Sequence, residues 1–101
     1  MIKWADKLYL GDSIKGRKTK VMRAVEANKL AFSVFCITYA VNPGNLLDII
    51  NANELSFSYY QKQEIYVIGL AGSKSEALEL VRSMIEDMYR ETEGFLVREY
   101  F

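Results

Sequence analysis

The chain has 101 residues, 13 basic and 13 acidic side chains, one cysteine and no histidine. That length suits one domain over residues 1–101, and a composition that is 50% hydrophobic and 26% charged is globular. Without histidine, Ser-His-Asp and Cys-His machinery and His-containing zinc sites are excluded. A lone cysteine builds neither a thiolate cage nor an intrachain disulfide.

The start, Met1-Ile2-Lys3-Trp4-Ala5-Asp6-Lys7-Leu8, carries charge where a secretory signal needs an unbroken apolar run. The longest mostly apolar stretch, Leu30 to Val41, is too short to span a bilayer. The expectation is a soluble, cytoplasmic protein that does not enter a membrane. Lys7-Leu8-Tyr9-Leu10 reads as a short strand ended by Gly11-Asp12. A helix is predicted from about Lys15 or Gly16 to Asn28, with Val21, Met22 and Val25 as its apolar stripe. Leu30 to Val41, rich in Val, Ile, Phe and Tyr, reads as a long strand closed by Asn42-Pro43-Gly44. Cys36, between Phe35 and Ile37, has the setting of a small buried hydrophobe.

Asn45 to Asn51 is predicted as a short helix or turn, and residues 52–62 are ambiguous. Ile65 to Ala71 is a second clear strand. Ser73 and Glu76 then form an S-x-x-E capping box. Behind it Ala77, Leu78, Val81, Met84, Ile85 and Met88 recur at helical spacing, with Tyr89 widening the stripe. Val81 and Ile85 are expected in the core. Gly94 supplies a left-handed stop, and Phe95 to Phe101 alternates into a last strand.

The order strand, helix, strand, insertion, strand, helix, strand gives an α+β, ferredoxin-like βαββαβ fold. It implies an antiparallel sheet, helices on one face and an insertion at 42–64 between the middle strands. Leu30–Val41 and Ile65–Ala71 are apolar on both faces, whereas an antiparallel sheet with one wet face alternates with polar residues. Phe35, Ile37, Tyr39, Tyr66, Ile68 and Leu70 are expected to share the second face. Something must cover it: a second copy, the insertion or a ligand. A homodimer through the sheet face is the expected cover.

Charge is balanced overall but not along the chain. Residues 1–30 carry eight basic groups against three acidic ones, and the remainder carries the opposite excess. Lys15, Arg17, Lys18, Lys20 and Arg23 lie close together with no acid among them. With Thr19, beside a predicted helix start, they form a candidate anion-binding segment. Gly11 to Thr19 comes near a phosphate-binding loop, but Arg17 separates Gly16 from Lys18 and breaks the required Gly-Lys-Ser/Thr run. Seven tyrosines raise base stacking, yet neither apolar strand carries a basic residue, so nucleic acid is the less favoured partner. Asn42, Asn45, Asp48, Asn51, Asn53 and Glu54 lack calcium-loop spacing, and turn and cap roles suit them better.

Several stretches resemble a family of short bacterial proteins of unknown function. They are Trp4-Ala5-Asp6-Lys7-Leu8-Tyr9, Asn42-Pro43, Asn45-Leu46-Leu47-Asp48-Ile49-Ile50, Asn53-Glu54-Leu55, Ile68-Gly69-Leu70-Ala71 and Val97-Arg98-Glu99-Tyr100-Phe101. The resemblance implies one domain of about this length and brings no catalytic residue with it. The expected function is therefore a non-catalytic homodimeric binding or regulatory module without a cofactor or metal. The alternative is an anion- or nucleic-acid-binding protein using segment 15–23. An enzyme is the least favoured class, and the sequence names no ligand.

Overall fold

The structure is a computed structural model that describes residues 2–27, 34–40, 46–56 and 58–92. In chain order they form β1 (Ile2–Leu10), α1 (Asp12–Lys15), α2 (Lys18–Ala27), β2 (Phe35–Tyr39) and β3 (Leu47–Asn51). A 3₁₀ turn (Ala52–Ser56), α3 (Ser58–Gln61), β4 (Ile65–Ala71) and α4 (Lys74–Thr92) follow. The last strand expected over 95–101, the Gly94 stop and the ends of the strand expected over 30–41 lie outside the described residues.

The sheet order is β1-β4-β2-β3. β1 runs parallel to β4, while β2 is antiparallel to both β4 and β3. The fold is α+β with a mixed sheet, which corrects the expected antiparallel one. The parallel β1–β4 pair suits a split βαβ unit. The strand order and the placement of the helices do not make a clear ferredoxin-like fold.

The helices take opposite faces, not one. Cys36 and Ile37 are neighbours on β2 and so point to opposite sides. Cys36 packs with Ile14 of α1 and with Val21 and Val25 of α2. Ile37 packs with Met84, Leu80 and Val81 of α4. The insertion joins the first side: Ala52 and Leu55 are buried in that core, and Tyr60 packs against it. Both faces of the apolar strands are thus covered within the chain, and a second copy is not needed to explain their composition. The reason is elementary: a strand apolar on both sides needs cover on both sides.

Four further elements depart from expectation for local reasons. β1 begins at Ile2, well before Lys7, because its charged middle lies in an irregularity. Trp4 pairs with Val67 and Tyr9 with Gly69, so the residues between them bulge out of register. The expected helix from 15 to 28 is broken at Gly16-Arg17 into α1 and α2. Residues 47–51 are a strand, the outermost of the described sheet, not a helix or turn, with Ile49 opposite Ile37 and Ile50 opposite Cys36. In β4 the residue Ile68 is extra: Ile37 pairs with Gly69 and Thr38 with Val67. The bulge moves Leu70 onto the Cys36 side, away from the face on which it was expected.

Burial pushes the Cys36 thiol up to about 12. The folded protein is therefore expected to resist iodoacetamide at neutral pH, and labelling should appear only with unfolding. Rapid labelling under native conditions would show the β2 core to be open.

Candidate functional site

Because β1 and β4 are parallel neighbours, their carboxyl ends share one edge of the sheet. From there the chain diverges. After Leu10 it turns through Gly11 into α1 and α2 on one face; after Ala71 it turns through Gly72-Ser73 into α4 on the other. Such a divergence opens a crevice at the strand ends, the place where open α/β sheets hold ligands. Here the cavity is about 440 Å³ and is lined by Leu10, Gly11, Asp12, Lys15, Ser73, Ser75, Glu76, Glu79, Leu80 and Ser83.

Glu76 organises this edge. Ser73 Oγ accepts a hydrogen bond from the Glu76 backbone N–H at 3.1 Å, so half of the expected capping box forms. The other half is redirected. The Glu76 carboxylate accepts from Gly72 N–H at 2.8 Å and from Ser13 Oγ–H at 2.7 Å. Ser13 N–H adds a longer contact of 3.4 Å. One carboxylate thereby ties the β1–α1 turn to the β4–α4 turn.

These donors hold the Glu76 carboxyl below its ordinary value of 4.5, the Gly72 N–H contributing most and the Ser13 hydroxyl next. Glu76 is therefore ionised at neutral pH and committed as an acceptor, the opposite of a general acid poised near pH 7. A carboxyl whose folded pKa lies below its unfolded value adds stability above the unfolded value and loses it as pH falls through the folded one. Thermal melts from pH 7 downwards should therefore show a decline beginning near pH 4.5. Glu76→Gln should be less stable at pH 7 and should flatten part of that decline. The rest comes from groups such as Glu64, which Lys3 holds low across a 2.8 Å ion pair. An unchanged profile would show that the clamp does not form in solution.

The electrostatics of the crevice are acidic. Asp12, Glu76 and Glu79 line it against one cation, Lys15, which pairs with Asp12 at 3.0 Å. It offers acceptors and serine hydroxyls, so it suits a small polar ligand that is neutral or cationic and repels phosphate. Among the described residues no three His, Cys, Asp or Glu side chains are grouped so as to hold a metal ion.

The basic segment shares Lys15 with the crevice and otherwise lies apart from it. Lys15, Arg17, Lys18, Thr19 and Lys20 surround a second, shallow depression of about 360 Å³ at the α1–α2 break, and Arg23 is exposed one turn along α2. The structure thus brings five of the six expected residues round one hollow and sets the sixth beside it. Arg17 Nε–H donates to the Ser13 carbonyl at 3.2 Å. The acidic crevice was missed in the sequence. Its signal was the repeated junction of a strand end with glycine and serine: Leu10-Gly11-Asp12-Ser13 and Ala71-Gly72-Ser73.

No family model, curated protein or solved structure matches the chain. No described helix is long and apolar enough to cross a membrane.

Proposed function

We propose that this chain is a non-catalytic binding module whose ligand site is the crevice at the carboxyl ends of β1 and β4. The observation that carries the reading is the divergence of the two strand-to-helix turns to opposite faces of the sheet, with a carboxylate clamp across the gap. The ligand class is a small neutral or cationic molecule rich in hydrogen-bonding groups, because the lining carries three acids, one paired lysine and three serines. The reading of the chain as a relative of short bacterial proteins of unknown function is compatible with this and adds no activity.

Polyols, amino acids and polyamines titrated into labelled protein should shift the amide resonances of Gly11, Ser13, Gly72 and Ser75 together. Ser83→Phe, which fills the crevice from an exposed position of α4, should abolish those shifts without unfolding the protein. Ligand effects that avoid these amides, or that survive Ser83→Phe, would overturn the site.

The homodimer is a separate proposal. An uncovered sheet face no longer supports it, because α4 covers that face; among the described residues the exposed large hydrophobics are Leu46 and, on the outer side of α4, Leu78 and Tyr89. Sedimentation at twice the 11.6 kDa chain mass would support self-association. Sedimentation at the chain mass would remove it without touching the crevice.

A further inference from the structure

Beyond Lys15, which also lines the crevice, the basic segment forms a surface of its own with a different chemistry. Arg17, Lys18, Lys20 and Arg23 are all exposed, and among the described residues none has an acidic partner within ion-pair distance. The nearby acid Asp12 is taken by Lys15, and Glu26, one turn beyond Arg23, marks where the basic run ends. α2 is anchored from behind by buried Val21 and Val25, so the cations stand on a fixed support.

Gly16 adds an independent observation. Its backbone is ordinary right-handed helical, with φ −80° and ψ −4°, and an added Cβ would meet nothing within 4 Å. Among the described residues neither conformation nor packing requires glycine there, and Gly16 lines the basic hollow.

We infer that the ridge Arg17–Arg23 is a docking surface for the phosphate backbone of a nucleic acid, bound without sequence preference. Three features favour that polyanion. Arg17, Lys20 and Arg23 follow at three-residue steps, so they form one exposed row along the start of α2, with Lys18 beside it. The row starts at the hollow and runs past it to Arg23, as a repeating anion requires and a single phosphate does not. The sheet's aromatic pair, Tyr39 and Tyr66, is stacked on itself at 4.7 Å on the face packed by α4 and offers no open ring pair to bases. The contact inferred is therefore with the backbone, which carries affinity but no sequence information. Finally, the apolar side of α2 is committed to the core, so the helix has nothing to insert into a lipid surface.

Four phosphate contacts predict a slope of log K against log salt of about −3.6. Affinity should then fall about 150-fold between roughly 50 and 200 mM salt. The experiment is fluorescence anisotropy of a short labelled DNA duplex with the intact chain at several salt concentrations. Vesicles of phosphatidylserine and phosphatidylcholine form a parallel arm. Replacing Arg17, Lys18, Lys20 and Arg23 together with Gln should abolish the salt-dependent binding while the melting temperature stays close to that of the parent. Should that variant fail to fold, Lys18→Gln with Lys20→Gln should make the slope shallower by about 1.8. Ser83→Phe should bind the duplex normally, which separates failure of this surface from failure of the crevice. The proposal is overturned by absent duplex binding at low salt, by a slope the Gln variants leave unchanged, or by binding to vesicles alone.

Discussion

Met84→Ala is expected to lower the stability of the protein by about 2–5 kcal/mol, and Ile85→Ala by only about 1 kcal/mol. Met84 is fully buried beneath the sheet with Ala5, Ile37 and Ile68, whereas the neighbouring Ile85 is half-buried. The two positions differ by one residue, about 100° around the helix, so the pair of urea denaturation curves reports the rotation of α4 on the sheet. Val81 is likewise half-buried at the edge of the contact. A loss at Ile85 equal to that at Met84 would mean that α4 is rotated away from the observed contact. A negligible loss at both would mean that α4 does not cover this face. The hydrogen bond from Tyr9 Oη–H to Asp87 Oδ2, at 3.0 Å, independently ties the same helix to β1.

The stripe Ala77, Leu78, Val81, Met84, Ile85, Met88, widened by Tyr89, was plain in the sequence because its spacing is local, but Leu78 and Tyr89 turn out to be exposed on the side of α4 away from the sheet. Which members reach the core was not plain, because that depends on the sheet beneath. The same division holds for the strands. Ile65–Ala71 announces itself by its Ile-Tyr-Val-Ile run and the absence of charge, but nothing local shows that Ile68 bulges and carries Leu70 to the other face. Leu47-Asp48-Ile49-Ile50 suits a strand or a short helix equally well by composition. Pairing with β2, distant in sequence, decides it. Most instructive is the double apolarity of β2 and β4. The pattern was legible, but its cause was not. The sequence records that both faces are dry and is silent on whether the cover is a second chain or a helix of the same one.

The candidate sites divide in the same way. The basic segment could be seen because its residues are contiguous, and five of them do surround one hollow. The crevice depends on contacts across 63 positions, between Ser13 and Glu76. Ser73 and Glu76 were visible as a capping box, and the Ser73 half holds. The carboxylate half was lost to competition. Glu76 could return to Ser73 N–H, but it accepts instead from Gly72 N–H, one residue earlier in the same turn, and from Ser13 Oγ–H, which the parallel pairing of β1 and β4 brings within reach.

That competition makes Gly11 the most sensitive small residue of the site. Gly11→Ala should cost about 2–4 kcal/mol, from the clash and the charged hydrogen bonds lost with it. Gly11 has φ −66° and ψ 156°, which any residue adopts, so the requirement is for space and not for a left-handed backbone. A Cβ there would lie 2.1 Å from Glu76 Oε1, 2.5 Å from Cδ and 2.8 Å from Cγ. The overlap reaches beyond the flexible tip, so Glu76 must leave the clamp. Gly72→Ala should be similarly damaging, its Cβ falling 2.2 Å from Ser13 Oγ and 3.2 Å from Ser13 Cβ. Gly16→Ala is the contrast: with open space and a right-handed backbone it should be neutral or stabilising by about 0.4–1 kcal/mol. A double-mutant cycle isolates the cause. In a Glu76→Ala background the cost of Gly11→Ala should fall below about 1 kcal/mol, because the atoms it collides with are gone. If Gly11→Ala costs the same with and without the Glu76 side chain, the clamp is not what glycine makes room for, and the binding crevice loses the contact that shapes it.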